Sequence, residues 1–147
     1  MSKPARRRVY LFMTRSRDSR PQLLTRSRVE PRGGSGFGHG VETPGGTIEP
    51  GEEAALAALR EAEEETGLTA LGTPELLAED DWENRDELLR RYFFRIPVLG
   101  STEDEWVHND VAEGVDFGVA FRLRWVDLPK AEGLDDHFRA YLERVQN

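Results

Sequence analysis

The chain has 147 residues, of which 37% are hydrophobic and 33% charged, and we expect one globular domain, residues 1–147, with a core of its own. It has no cysteine, which excludes disulfides and thiolate metal sites. No apolar run approaches the ~20 residues that span a bilayer, and no signal-peptide pattern follows the basic first residues. The sequence therefore predicts a cytoplasmic protein that has no membrane partner.

The net charge of −8 is distributed unevenly. Residues 1–32 hold ten Lys or Arg residues and two acids, whereas the rest of the chain holds ten basic and 26 acidic residues. The basic part could attract phosphate-rich ligands or be an ordinary solvated surface, and we expect residues 1–8 to form a flexible basic N-terminus. The acidic remainder argues against a nucleic-acid partner, because faces that bind nucleic acid are normally basic.

The first half of the chain predicts two strands, a loop and a helix. Val9–Met13 is a short apolar run, and Gln22–Thr25 is expected to pair back on it as a hairpin. Residues 31–46 contain seven glycines and two prolines, which indicates a loop or an irregular strand. A helix follows over roughly Glu52–Thr66, and Gly67 stands where a left-handed cap favours glycine.

The second half predicts three strands and a short helix. Leu76–Ala78 is a weak strand candidate, and Arg91–Leu99 is a better one. Residues 100–116 form an acidic loop, Asp116–Val126 alternates like a strand with one buried face, and Asp136–Val145 is a short amphipathic helix. This order predicts an α/β fold, a mixed sheet covered by helices.

The end of the first helix carries an unusual concentration of negative charge, in Glu61, Glu63, Glu64 and Glu65. Carboxylates are unfavourable at the negative end of the helix dipole, and they repel one another at this spacing. Such a run is often an ordinary solvated helix face. Here, however, the only base within a turn of these acids is Arg60, which could instead pair with Glu52. A hard divalent cation such as Mg²⁺ or Mn²⁺ prefers oxygen ligands and would relieve the repulsion.

The helix is also amphipathic. Its apolar residues are expected to face the sheet, and its acidic residues to turn away from it. The first set is Ala55, Leu56, Ala58, Leu59 and Ala62, and the second is Glu61, Glu64 and Glu65.

Residues 46–68 resemble the Nudix box, G-x5-E-x7-R-E-U-x-E-E-x-G-U, in which U is a bulky aliphatic residue. All seven fixed positions are present, and Ala62 is smaller than the usual aliphatic residue. The matching positions are Gly46, Glu52, Arg60, Glu61, Ala62, Glu64, Glu65, Gly67 and Leu68.

The resemblance implies an α/β/α sandwich and Mg²⁺- or Mn²⁺-dependent hydrolysis of a pyrophosphate bond in a nucleoside diphosphate linked to another moiety. It implies that Glu61, Glu64, Glu65 and the carbonyl of Gly46 bind metal. Glu52 would be structural, and Arg60 would orient a box glutamate. One of the acids, Glu64 or Glu61, or a residue of a later loop would activate water. A homodimer is possible, and a nucleotide-sensing module without turnover is the alternative on the same fold.

Several residues outside the box are further candidates, and each could equally be an ordinary surface or core residue. Glu105, Glu113 and Asp116 flank the acidic loop, and we favour Glu113 because Gly114 allows a close turn. His108 could be a base or a phosphate contact, whereas arginines before the box could contact distal phosphates: Arg26, Arg28 and Arg32. Aromatic residues that could stack a nucleobase are Phe37, Trp82, Tyr92 and Trp106.

The sequence does not assign the substrate. The pattern markers of coenzyme A pyrophosphatases, diadenosine polyphosphate hydrolases and ADP-ribose pyrophosphatases are incomplete or absent. A protein-interaction domain that uses the acids Glu103–Glu105 is a third reading, which rests on charge alone.

Overall fold

The computed structural model describes residues 5–29, 40–111 and 118–146, which form a seven-stranded mixed sheet and, within these ranges, one α-helix. In chain order the elements are β1 (Ala5–Arg17), β2 (Arg20–Arg28), β3 (Gly45–Thr47), α1 (Ala54–Thr66), β4 (Glu75–Glu83), β5 (Leu88–Pro97), β6 (Glu105–Asn109) and β7 (Ala120–Asp127), followed by 3₁₀ turns at Asp136–Phe138 and Leu142–Gln146.

The strands lie in the order β4-β5-β1-β2-β7-β6, and β3 pairs with the first half of β1. The β1–β5 pair is parallel and the other pairs are antiparallel, so the predicted mixed sheet is confirmed. Parallel neighbours need a long crossover connection, and the chain from β1 to β5 includes α1. The short strand β3 pairs with the central strand β1 and precedes α1 in the chain.

β1 is the central strand, and both of its faces are buried. Val9, Leu11 and Met13 face α1, whereas Tyr10 and Phe12 face the C-terminal segment 128–145. An unbroken apolar run of this kind is typical of a strand that is covered on both sides. The sheet thus separates two hydrophobic clusters, and the helix with the box lies on the first of them.

The rotation of α1 differs from the prediction. The helix buries Ala57, Ala58 and Ala62 against the sheet, but it also buries Glu61 and Glu65. The expectation that the acidic residues turn away from the sheet was wrong for these two, and Leu56, which we expected to face the sheet, is 57% exposed. Polar partners on the neighbouring strands, described below, make this rotation possible.

The C-terminal residues form two 3₁₀ turns rather than the predicted helix over Asp136–Val145. Tyr141 has φ of 63°, a left-handed conformation that interrupts any helix at that point. The predicted apolar side is nevertheless correct, because Phe138, Tyr141, Leu142 and Val145 all pack on the second cluster. The second layer on the sheet is therefore irregular chain.

Two further expectations are corrected. Ala5–Arg8, part of the predicted flexible N-terminus, is paired strand in β1 next to β5. The predicted loop over 100–116 contains a strand, β6, that pairs with β7. Both segments carry many charges, which hid the strand pattern. Among the described residues, no helix is long and apolar enough to cross a membrane.

Candidate active site

The glutamates at the end of α1 differ sharply in burial. Glu61 is 6% exposed and Glu65 is 4% exposed, because both point toward β3. The side chain of Glu64 is 26% exposed, and Glu63 faces solvent. The helix ends where it was predicted, at Thr66, and Gly67 caps it with φ of 78° while its N–H donates to the Glu63 carbonyl. The helix thus holds two carboxylates inside and one at the rim.

Two glycines of β3 bring the backbone close to the two buried carboxylates. A Cβ atom at Gly46 would lie 2.2 Å from the carboxyl carbon of Glu61, so this carboxylate rests directly on the Gly46 backbone. The N–H of Gly45 donates to Oε1 of Glu65 at 2.6 Å. Any side chain at Gly46 would push Glu61 away, which explains glycine at the first position of the box.

Arg60 connects the start of the helix segment to two of the glutamates near its end, Glu61 and Glu64. Its Nε and Nη2 donate to the two oxygens of Glu52 at 2.8 Å each, which confirms the predicted pair. Its Nη1 donates to Glu61 at 3.0 Å and to Glu64 at 3.2 Å, and Nη2 also donates to the Thr47 carbonyl. The Arg60 hydrogen bonds lower the pKa of Glu52 to about 2. Arg60 therefore orients box glutamates, as expected.

Arg26 is buried behind the site and does not face solvent as a distal-phosphate contact would. It is 5% exposed. It donates from Nε to Glu42 at 2.7 Å, and its guanidinium lies 3.8 Å from the centre of the Phe121 ring. Its Nη2 lies 3.0 Å from Oε2 of Glu65, and its Nη1 lies 3.7 Å from Oδ2 of Asp110. The structure thus makes Arg26 the countercharge of two buried carboxylates.

Asp110 is a site residue that the sequence reasoning missed. It is 4% exposed and follows β6 directly, on the same side of the strand as Trp106 and His108. The sequence signal for Asp110 is the strand-like spacing of two residues in Trp106, His108 and Asp110. Because we interpreted this segment as a loop, we did not apply that spacing. Glu105 lies on the opposite, solvent side, where it pairs with Arg122 at 2.9 Å, so it is not a site residue.

His108 and Trp106 contact the helix end. His108 Nε2 lies 2.9 Å from the Glu64 carbonyl, which can only accept, so Nε2–H donates. The Trp106 indole donates to the Thr66 carbonyl at 3.0 Å. Both side chains thus hold the last turn of α1, and their roles as base, phosphate contact or stacking platform stay predictions.

The remaining candidates divide into three groups. Arg28 lies on the same side of β2 as Arg26, at the end of the strand, and is partly buried. Tyr92 packs against the first hydrophobic cluster, and Trp82 lies on β4 with its ring 6.0 Å from that of His137. The others fall outside the described residues: Arg32, Phe37, Glu113 and Asp116.

The electrostatics of the site are unbalanced. The pKa of Glu61 is raised to about 7, chiefly by burial; Arg60 opposes the increase, and Glu64 and Asp110 contribute to it. Burial also raises the pKa of Glu65, against the opposing effects of Arg26 and the Gly45 N–H, and Asp110 adds to the increase. Three buried carboxylates thus repel one another, and positive charge placed among them would be strongly stabilised.

The donors suit a hard divalent cation, although they are not gathered around one point. Among the residues that the structure describes, no three acidic or histidine side chains form a ready ligand cluster. Arg60 holds Glu61 and Glu64, while Arg26 and Gly45 hold Glu65. All the donors are oxygens, as Mg²⁺ and Mn²⁺ prefer. The set fits such an ion if these carboxylates turn away from the arginines.

The chain resembles known proteins in sequence and in fold. A family model described as the NUDIX domain matches residues 4–144. No curated protein matches the sequence. Among solved structures, the chain is similar to the MutT protein from Methanosarcina mazei Go1, with 22% identity and a TM-score of 0.65 over 99% of this chain and 95% of that one.

The names of two other similar structures mention nucleotide derivatives. One is a C. elegans Ap4A hydrolase in a binary complex, with 18% identity and a TM-score of 0.64 over 95% of this chain and 93% of that one. The other is the NUDIX domain of Shewanella oneidensis NrtR complexed with ADP ribose, with 18% identity and a TM-score of 0.67 over 98% and 88%. Such identities show the fold alone. Because the family model spans nearly the whole chain and the box is intact, the chain belongs to the Nudix family of hydrolases.

Proposed function

We propose that the chain is a metal-dependent pyrophosphohydrolase that cleaves a pyrophosphate bond in a nucleoside diphosphate linked to another moiety. The observation that carries this proposal is the burial of three carboxylates at the end of α1: Glu61 lies against the Gly46 backbone, and Glu65 and Asp110 lie beside Arg26. Buried carboxylates without enough countercharge are costly, and a site that binds cations is a physical reason to retain them.

The proposed ligands of Mg²⁺ or Mn²⁺ are Glu61, Glu64, Glu65 and the Gly46 carbonyl. A bound ion of this kind would neutralise pyrophosphate oxygens and lower the pKa of a water molecule. Arg60 would hold Glu61 and Glu64 in place when they are not bound to metal, and Arg26 would balance the charge of Glu65 from behind.

The reaction itself needs a base that receives the proton of the attacking water. Glu64 is our candidate, because it is the most accessible of the three box carboxylates and its hydrogen bond to Arg60 is the longest, at 3.2 Å. The water oxygen would attack phosphorus, the bridging P–O bond would break, and the proton would pass to Glu64. Glu113 is still a predicted alternative, as it lies outside the described residues.

The substrate would be a small nucleotide derivative. Ap4A and ADP ribose, which appear in the names of two similar structures, are both nucleotides that contain a pyrophosphate linkage. Arg28 is the proposed contact for a distal phosphate, since it lies at the end of β2 on the side of the site. Cytoplasmic location, a possible homodimer and the absence of a nucleic-acid partner are still predictions.

The experiment is phosphate-product release from a panel of nucleotides, sugar nucleotides, dinucleoside polyphosphates and nucleotide cofactors, with Mg²⁺ and then Mn²⁺. The wild type is compared with Glu65→Gln and with Glu63→Gln, a matched change at an exposed glutamate of the same helix. Activity that Glu65→Gln abolishes and Glu63→Gln retains would establish the hydrolase and identify its substrate class.

The nucleotide-sensing alternative predicts a different result. The same panel would then give tight binding without turnover, as measured by calorimetry in the presence of metal. The intact set of box carboxylates favours the enzyme. Absence of both turnover and metal binding would contradict the proposal as a whole.

A further inference from the structure

The side of β6 that faces α1 is attached to the last turn of that helix at successive positions. Trp106 donates its indole N–H to the Thr66 carbonyl at 3.0 Å, and His108 donates Nε2–H to the Glu64 carbonyl at 2.9 Å. The next residue on this side, Asp110, lies 3.7 Å from Arg26. Three successive residues on this side, Trp106, His108 and Asp110, therefore lie near the end of α1, which carries the box glutamates.

These contacts meet a specific need of the helix. The last carbonyls of an α-helix have no partner within it, and they form the negative end of its dipole. The last turn of α1 contains no basic residue that could satisfy them. The Gly67 cap closes the Glu63 carbonyl locally, and side-chain donors for the Glu64 and Thr66 carbonyls come from β6. The backbone N–H of Val111, just beyond β6, also approaches the Glu64 carbonyl, at the longer distance of 3.5 Å.

The same turn bears two proposed metal ligands, Glu64 and Glu65. The position of this last turn is fixed in two ways: the alanines of α1 pack against the sheet, and Trp106 and His108 of β6 donate hydrogen bonds to its carbonyls. The box glycine Gly67 belongs to this arrangement, because a Cβ there would lie 3.0 Å from Nδ1 of His108. An ordinary side chain would therefore strain the left-handed cap and displace the histidine ring.

We propose that Trp106 and His108 are positioning residues for the metal site, and that they act by fixing the last turn of α1 through its backbone. This inference rests on the proposed function, because it assigns the two residues to the affinity of that same site for a divalent ion. They touch neither metal nor substrate. Their loss should leave the fold intact and weaken metal binding, since β6 remains paired with β7 along its length.

The experiment compares Mn²⁺ affinity, measured from the electron paramagnetic resonance signal of the free ion, in four variants. Trp106→Phe and His108→Met each remove one donor and keep most of the side-chain volume. His108→Gln keeps an N–H at the same distance along the side chain and should restore binding. Val107→Ala, at a half-exposed position on the outer side of β6, is the matched control.

We expect the dissociation constant for Mn²⁺ to rise by about fivefold in Trp106→Phe and in His108→Met, as the loss of one hydrogen bond implies. Values for His108→Gln and Val107→Ala should stay within about twofold of wild type. Hydrogen exchange in the metal-free protein provides a second readout. The amides of residues 63–68 should exchange faster in the first two variants only.

The possible failures are distinguishable. If the wild type binds Mn²⁺ and Trp106→Phe and His108→Met bind it equally well, the positioning role is wrong and the proposed function stands. If the wild type binds no Mn²⁺ at millimolar concentration, the proposed function fails and the inference fails with it. Equal weakening by His108→Met and His108→Gln would also overturn the inference, because the hydrogen bond would then not be the cause.

Discussion

Arg26 and Glu65 form an ion pair in which each side chain is 5% exposed, with Nη2 3.0 Å from Oε2. The pair joins β2 to α1, elements that are far apart in the sequence. Removing one partner of a buried pair is much more costly than the pair itself is stabilising, because the other charge is left in a medium of low polarity.

Arg26→Met should therefore lower the free energy of unfolding by about 3–5 kcal/mol in metal-free protein at pH 7.5. Glu65 and Asp110 would both lose their countercharge. Urea denaturation would measure the loss, and Mn²⁺ should recover part of it because the ion supplies positive charge to the same carboxylates. Arg20→Met, at an exposed arginine of the same strand, is the control. A loss for Arg26→Met no larger than for the control would contradict this reading of the site.

The pH dependence of stability provides a second test. Burial raises the pKa of Glu61 to about 7 from the 4.5 of an ordinary glutamate. Between these two pH values the unfolded chain releases a proton that the folded protein keeps. Glu61 should thus make the free energy of unfolding fall as the pH rises through this window, and its own contribution is about 3 kcal/mol.

Glu61→Gln should remove this slope. Urea unfolding with a chelator present would show wild type and variant converging near pH 4.5, and the variant becoming increasingly more stable than wild type between pH 4.5 and 7. Glu63→Gln is the control, because its carboxylate is exposed and its removal should leave the slope unchanged. Parallel pH profiles for wild type and Glu61→Gln would show that Glu61 ionises normally.

The sequence could predict what depends on local spacing. The end of α1 at Thr66, the Gly67 cap and the Arg60–Glu52 pair all follow from positions within two or three turns of one helix. The identity of the site glutamates followed from the same 23 residues, through the match to the box.

The burial of Glu61 and Glu65 could not be predicted in this way. It depends on β3, whose two glycines pair with β1, and on Arg26 from β2, which are contacts set by the folded chain. Strand β6 was missed because it is short and its exposed residues Glu105 and Asn109 are polar, as in a loop. Because β6 was predicted to be a loop, Asp110, which directly follows it, was not identified either.

Replacement of Gly46 should damage the metal site more than the fold. In Gly46→Ala the new methyl group would lie 2.2 Å from the Glu61 carboxyl carbon, and this flexible side chain would have to move aside. We expect the Mn²⁺ dissociation constant to rise by at least about tenfold, in the range seen when residues that support metal ligands are removed. Gly51→Ala is the control: its φ of 79° makes alanine strained, yet nothing lies within 4 Å of the new atom. That variant should lose stability and keep its Mn²⁺ affinity.

Glu64→Gln should separate chemistry from binding. If Glu64 receives the proton of the attacking water, kcat should fall by about 10²–10⁴-fold. Because Glu64 is also a proposed metal ligand, the assay uses saturating Mn²⁺. Under that condition KM should change little, because the substrate would still be held by the remaining groups. Glu63→Gln, next to it on the helix and exposed, should keep its kcat. An unchanged kcat in Glu64→Gln would move the role of base to another residue, with Glu113 the first to test.

Asp110 lies outside the box, and its replacement tests whether residues beyond the box contribute to metal affinity. It lies buried beside Arg26 and raises the pKa values of both Glu61 and Glu65, so its negative charge is part of the field that a cation would meet. Asp110→Asn keeps the shape of the side chain and removes that charge. We expect Mn²⁺ affinity to fall by at least about tenfold, since a divalent cation about 10 Å from one negative charge is stabilised by about 3 kcal/mol at an effective dielectric constant near 20. Glu105→Gln makes the same kind of change on the opposite side of the same strand, where the carboxylate pairs with Arg122, and should leave the affinity unaltered. If the two variants bind Mn²⁺ equally well, the site ends with the box and Asp110 has no part in it.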